Sequence, residues 1–491
     1  ELDCLGVART AAIDPKWSIK PCEFPVPTSR QGQRVELPEH PRYMNKIHHF
    51  ATAIAFSLGL MSPVTVQASS SAKDPEAIEA EARKIINAYR DLGWFSGSVM
   101  LAKSGQPIYQ ASVGLANREL AKPNSNDTRY NLGSIMKNFT AVLVLQQVER
   151  GVIGLDDNLD SCELGFPDAT ASKITVRQLL NHRSGLPDVF PSAYRESPLS
   201  FRTIADKLAL LQDAPLLFEP GTERRYSNYG YVVLGAILQK ATGQSFASLL
   251  QENIFDRLRL EDSVYPYSND TPNQSLRYTF NYAGEQTFVG VTEHHSPDGG
   301  IESTVADVLT FYRALFYGDE LLSHQESTID EYFPVDGESW VAFGGGTGVS
   351  AAVELDLKND YQIVVLANTD GLVAEEISGR IYSYIQTGSY DPIKLPPIVF
   401  AWNKYRDIGP KTFKSEFQAS YESAGYSQFI GRTLNELGMS LVNDSEWTDA
   451  FNIFGTLVEL FPKAPQAYDS LAYAHFRAGE IETAREIFSK A

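Results

Sequence analysis

Between residues 74 and 92 the apolar side chains Ile78, Ala82, Ile85 and Ile86 recur at helical spacing on one face, which predicts an amphipathic helix. The period then shortens. Gly97–Lys103 and Pro107–Val113 are strand-like runs joined around Lys103-Ser-Gly-Gln, and they predict a hairpin. Ser350–Leu357 and Tyr361–Asn368, joined at Lys358-Asn-Asp, predict a second one. From about 134 to 330 helical patterns and Gly/Pro loops dominate. Strands at both ends of a helical stretch imply an α+β fold: one antiparallel sheet flanked by helices, closed by N- and C-terminal segments, with an all-helical subdomain inserted. That layout occupies residues 74–390.

Two other regions lie outside it. Residues 1–43 have no helical or strand period and are expected to be a vector- or upstream-derived leader. From Met44, Lys46, His48 and His49 precede the apolar run Phe50–Met61, and Val66-Gln-Ala68 follows as a small-x-small pattern. This order predicts a signal peptide over 44–68 with cleavage after Ala68, and so an exported protein, periplasmic or secreted. The apolar run is well short of the ~20 residues that span a bilayer, so no membrane span is expected in the mature chain. At the other end a Pro-rich linker is expected over 391–410. Beyond it Leu437, Gly438, Ala450 and Phe454 recur 34 residues later as Leu471, Ala472, Ala484 and Phe488. Period and residue types resemble the tetratricopeptide repeat, so 411–491 is read as helical repeats that stop before the second closing Pro position. Such repeats either pack on the rest of the chain or offer a groove to a protein partner.

Charge and cysteine content remove several function classes. With 42 basic against 61 acidic residues the formal net charge is −19, and no Lys/Arg-rich run offsets it, so nucleic acid and anionic membranes are poor partners. Cys4, Cys22 and Cys162 make neither a disulfide scaffold nor a zinc pair, and the eight histidines include no His-Glu-x-x-His; neither a metal nor a cofactor is implied. Cys162 reads as an ordinary thiol.

The chemistry begins at Ser134-Ile-Met-Lys137. Tyr130-Asn-Leu-Gly leads into a helix, apolar nearly all round, that carries Ser134 and Lys137 one turn apart on one face. A seryl hydroxyl at a helix start, beside an amine that a buried site can make a proton acceptor, is a nucleophile with its base. Tyr226-Ser-Asn228 opens another apolar helix: the phenol can pass a proton between seryl oxygen and leaving group, and the Asn228 amide can hold Lys137 or a substrate carbonyl.

Together with Leu179-Leu-Asn-His182-Arg-Ser184-Gly185, Asp298-Gly-Gly-Ile-Glu302-Ser-Thr304-Val-Ala-Asp307 and Leu155-Asp-Asp157, these motifs resemble the serine β-lactamase and penicillin-binding-protein superfamily. More narrowly they resemble its class C β-lactamase branch, which also holds DD-peptidases, D-aminopeptidases and family VIII carboxylesterases. The resemblance spans about 95–375. It implies Ser134 as acylated nucleophile, Lys137 as base, Tyr226 as proton shuttle and Asn228 as a hydrogen-bond anchor.

One element departs from the pattern. Where the family carries Lys-Thr-Gly or His-x-Gly on an edge strand, this chain has Trp340-Val-Ala342-Phe343-Gly344-Gly345-Gly346-Thr347-Gly348, which puts Ala342, or with a shift of one Phe343, in the basic position. Gly344 and Gly345 still permit close approach to substrate, and the amides of Gly345 and Ser134 are the expected oxyanion hole. A missing cation weakens carboxylate recognition and leaves neutral esters unaffected, so the expectation is a carboxylesterase for short-chain esters. A DD-peptidase, D-aminopeptidase or β-lactamase is the main alternative, and a weakly catalytic envelope-binding protein acting through its repeats the second. His182 reads as structural, His294-His295 as a solvated loop pair, and Glu302 and Asp307 as caps or braces of the helix starting near Ser303-Thr304.

Overall fold

The computed structural model describes residues 74–265, 273–290, 292–323 and 330–491; the leader and signal-peptide readings fall on residues outside these. The two predicted hairpins meet at the centre of a five-stranded sheet in the order Gln106–Val113, Gly97–Lys103, Tyr361–Ala367, Val349–Asp356, Ser339–Gly346. Gly97 pairs with Ala367 and Lys103 with Tyr361, antiparallel, so an early strand and a late one join mid-sheet. Every residue of Val349–Asp356 and Tyr361–Ala367 is buried, because helices cover both faces. Helix Pro75–Asp91, capped by the Asp74 side chain, lays Ile78, Ala82, Ile85 and Ile86 with Ile377 and Ile381 of helix Val373–Thr387 on one face. Helices Met136–Glu149, Asn228–Thr242 and Val305–Tyr317 build the larger core on the other.

A short hairpin, Arg277–Phe280 with Gln286–Val289, interrupts the stretch read as helical. Its strands are four residues each, too short for alternation to stand out from a loop. It is fixed to the end of the central strand by Tyr278 N donating to Asn368 O (2.9 Å) and Thr279 Oγ1 donating to Asp370 Oδ2 (2.6 Å).

The stretch read as a linker over 391–410 is irregular only as far as Pro396. Pro397 starts a helix whose first segment packs Val399 into the sheet-side core and Ala401 and Tyr405 into a separate C-terminal core; Gly409 (φ 75°) and Pro410 then break it. Prolines flagged an end of structure here, but Pro at a first helical turn is compatible with a start. Beyond it, helices Ile430–Asn443 and Trp447–Leu460 form one pair and Pro465–Arg477 and Ile481–Phe488 another. A Cβ at Gly438 would run into the Phe454 ring, which is fully buried, whereas Phe488, its counterpart one period on, is exposed.

Candidate active site

Ser134 lies on a tight helical turn, Gly133–Ile135, that leads directly into the buried helix Met136–Glu149. Gly133 has φ +51° and its amide donates to Asn131 Oδ1 (2.8 Å), which holds the turn. Lys137 follows in the first α-helical turn and is 4% exposed. Its Nζ donates to Ser134 Oγ at 3.0 Å and to the carbonyl of Asp298 at 2.5 Å.

Tyr226 arrives from the loop before helix Asn228–Thr242, whose N-cap Ser227 accepts from Gly230 N. Its OH donates to Ser134 Oγ at 2.9 Å, and its ring lies 5.0 Å from Lys137 Nζ. Two side chains, one from the next helical turn and one from 92 residues on, thus converge on the Ser134 hydroxyl. His182 stands behind the tyrosine, its ring 4.6 Å from that of Tyr226 and its Nδ1 accepting from Ser227 N at 3.3 Å. Burial, then the charges of Arg224 and Lys137, push its pKa down to about 3, so it is a neutral acceptor.

Asn228 does not hold Lys137. Its backbone amide donates to Asp188 Oδ1 (3.1 Å) and its side-chain amide to Asp188 Oδ2 (3.3 Å), while the lysine amine is taken by Ser134 and Asp298. Asp188 therefore fixes the tyrosine loop, a role with no local signal in Gly185-Leu-Pro-Asp188. Asn228 still faces the site cavity.

Strand Ser339–Gly346 runs past the nucleophile turn. A Cβ at Gly344 would overlap the carbonyl oxygen of Leu132, and one at Gly133 would stand 2.8 Å from Gly345 N. This close approach sets the strand's register against Ser134. On the face shared with Gly344, Ala342 is 8% exposed and packed in the core, while Phe343 is 46% exposed on the other. Ala342 is thus the inward residue two positions ahead of the close-approach glycine.

A cavity of about 610 Å3 opens beside Ser134, lined also by Asn228, Gly345, Phe190, Phe288, Lys207, Arg277, His295, Asp298 and Glu302. The histidine pair is not a solvated loop: both side chains are partly buried and line this space, and burial followed by the charges of Arg277 and Lys207 lowers His295 to about 3. Glu302 does not cap a helix. It sits in a two-residue strand pairing with Asn131, both its carboxyl oxygens accept from Gln274 Nε2 (2.7 and 2.9 Å), and burial raises it to about 8. Thr304 is the cap, and Asp307 braces the neighbouring loop through Asp262 N and Ser263 Oγ. Lys207, 2% exposed, donates to His294 O (3.0 Å) and Ser296 Oγ (2.9 Å), and Ser296 in turn donates to Asp298. Cys162 is a partly buried free thiol, raised by burial. Among the described residues no group of three or more His, Cys, Asp or Glu could hold a metal ion.

A helix-flanked antiparallel sheet with Ser, Lys and Tyr joined at one hydroxyl defines the class of the β-lactamase and penicillin-binding-protein serine hydrolases. Residues 82–383 match the Beta-lactamase family, and the chain belongs to it. It is 28% identical over 242 residues to penicillin-binding protein 4* of Bacillus subtilis (strain 168), a match covering 46% of this chain and 53% of that protein. It is also 28% identical over 211 residues to esterase EstB of Burkholderia gladioli, covering 38% and 54%. The chain spans about half the length of these curated relatives. Among solved structures, a penicillin-binding protein from Bacillus halodurans superposes with a TM-score of 0.55 at 26% identity, over 62% of this chain and 98% of that one.

Proposed function

We propose that the protein is an exported serine hydrolase that forms an acyl-enzyme on Ser134 and hydrolyses small carboxylic esters. The observation that carries this reading is the double contact at Ser134 Oγ, 3.0 Å from Lys137 Nζ and 2.9 Å from Tyr226 OH, on the wall of a cavity. Ser134 Oγ attacks the ester carbonyl as Lys137 takes its proton, and the oxyanion is met by the amides of Ser134 and Gly345. Tyr226 delivers a proton to the departing alcohol. Water then attacks the acyl carbon, its proton passing to the same pair, and the acid leaves as Ser134 regains its hydrogen.

Ester rather than lactam or peptide specificity is supported by Ala342. A buried methyl group occupies the inward strand position where the family pattern has a cation, and an alkoxide leaves more readily than the nitrogen anion of an amide. That esterase EstB is among the relatives agrees with this. Export rests on the signal-like order of residues 44–68. The offset between Gly438/Phe454 and Ala472/Phe488 supports a repeat array able to bind a protein partner. The deciding experiment is a turnover panel of p-nitrophenyl esters, nitrocefin and D-Ala-D-Ala peptides, with fluorophosphonate labelling. An adduct on a serine other than Ser134 overturns the mechanism.

A further inference from the structure

The cavity beside Ser134 carries a cation that the hydrolytic steps leave unused. Arg277 begins the short hairpin, and its root is fixed relative to the oxyanion strand: a Cβ at Gly348 (φ +71°), in the turn just after Gly345 and Gly346, would press on Arg277 Cβ. The anchoring of Tyr278 to Asn368 and of Thr279 to Asp370 holds the hairpin there. The Arg277 side chain faces the same cavity as Ser134, and one of its amino groups donates to Gly290 O at 3.0 Å. None of the ion pairs among the described residues involves it.

The acidic groups around the cavity have partners other than Arg277. Glu302 accepts from Gln274 and is raised to about 8 by burial, a rise that the Arg277 charge opposes. Glu293 accepts from Tyr194 OH at 2.7 Å, and Asp298 is tied through Ser296 to Lys207. His295 is neutral. Apart from the donor on Gly290 O, the guanidinium fork has no hydrogen-bond partner among the described residues, and Phe190 and Phe288 line the same cavity.

We propose that Arg277 is an anion anchor of this site, set on the hairpin wall and not at the edge-strand position of Ala342, and that the preferred substrates are esters bearing a carboxylate remote from the scissile carbonyl. This rests on the serine-hydrolase reading of Ser134. A fork of charged donors matches a carboxylate bidentately, and losing such a contact costs about tenfold or more in kcat/KM.

The test compares matched esters on the full chain: mono-p-nitrophenyl adipate against p-nitrophenyl hexanoate for an acyl-side charge, and 4-acetoxybenzoate against its methyl ester for an alcohol-side charge. In wild-type protein at least one charged ester is preferred, less so as salt rises. Arg277→Gln lowers the charged-to-neutral ratio of kcat/KM by about tenfold or more for that pair, mainly through KM, and Arg277→Lys recovers part of it. A ratio within about twofold of wild type for both pairs overturns the anchor while leaving the hydrolase reading intact. Calorimetric titration with adipate needs no turnover. Binding weakened by Arg277→Gln supports the anchor even if all four esters are inert, which would overturn the hydrolase reading alone, whereas equal or absent binding in wild type and variant counts against the anchor.

Discussion

Gly344 passes so close to Leu132 that a side chain of any kind would collide with the Leu132 carbonyl oxygen. This contact joins the edge strand to the turn that carries Ser134, next to the Gly345 amide proposed for the oxyanion hole. Gly344→Ala must push the strand away. It is expected to lose on the order of 10²-fold in ester turnover and about 1–3 kcal/mol of stability. Gly346→Ala, whose Cβ would meet only Val349 Cβ at 3.9 Å, is the control and should keep a near-normal melting temperature. Equal behaviour of the two variants would show that the close approach does not matter.

Lys137 and Tyr226 both touch Ser134 Oγ, so they are expected to act as one proton-transfer unit. Lys137→Ala and Tyr226→Phe should each cost on the order of 10²-fold or more in kcat, and the double variant far less than the product. Multiplying losses in steady-state kinetics would mean that the two work separately.

How much of this was legible in the sequence follows from range. Ser134 and Lys137 are one turn apart, and Tyr226 and Asn228 lie two residues apart at a helix start, so local pattern could single them out; the fold brings Lys137 and Tyr226 to the Ser134 hydroxyl. The sheet followed from two pairs of short strand-like runs, each joined by a tight turn. Asp188, Lys207, Arg277 and Glu302 come from a loop, a short helix and two short strands that only the fold brings near Ser134, and local pattern did not mark them as site residues. Glu302 shows the cost of reading locally: next to a helix start a carboxylate reads as a cap, and only the pairing with Asn131 shows it buried in the cavity wall. The helix from Pro397 was hidden by the same prolines that begin it.

The pH dependence of stability should carry the mark of Glu302. Its folded value is about 8 against an ordinary 4.5, so its protonated form favours the folded state fully below pH 4.5, and this contribution is lost as pH rises through 8. His182 and His295, both near 3 when folded against 6.5 unfolded, act in the opposite sense and weaken the fold as pH falls below 6.5. Between about 6.5 and 8 only the carboxyls operate, Glu354 (about 7) with Glu302. Glu302→Gln should therefore melt close to wild type at acidic pH and gain on it progressively towards alkaline pH. A constant difference in melting temperature across that range would contradict the assignment.

Where the C-terminal region is cut should matter. Ending the chain before Pro397 removes Val399, 2% exposed, from the core around Trp94 and the sheet-side helices, at a cost of about 1.5–3 kcal/mol. Ending it after Ile408, at the Gly409-Pro410 break, keeps that side chain. The longer truncation product is expected to hydrolyse esters with near-full activity and to melt several degrees above the shorter one. Folded protein without turnover in the longer form would show that the helical pairs complete the site.

Substrate class can be tested at the edge strand itself. With Ala342 inward and Phe343 outward, a lysine introduced at 342 extends from the strand face that also carries Gly344, whereas one at 343 points away. A charge-assisted hydrogen bond to a lactam carboxylate is worth about 1.5–3 kcal/mol, or roughly 10- to 150-fold in kcat/KM. Ala342→Lys should raise nitrocefin hydrolysis relative to p-nitrophenyl butyrate within that range, and Phe343→Lys should not. Because Ala342 is in the core, the variant will also lose stability, so the comparison is the ratio of the two substrates on the same preparation rather than either rate alone. Unmodified protein that turns over nitrocefin as efficiently as the butyrate ester would remove the argument from the missing cation, and the β-lactamase reading would replace the esterase one.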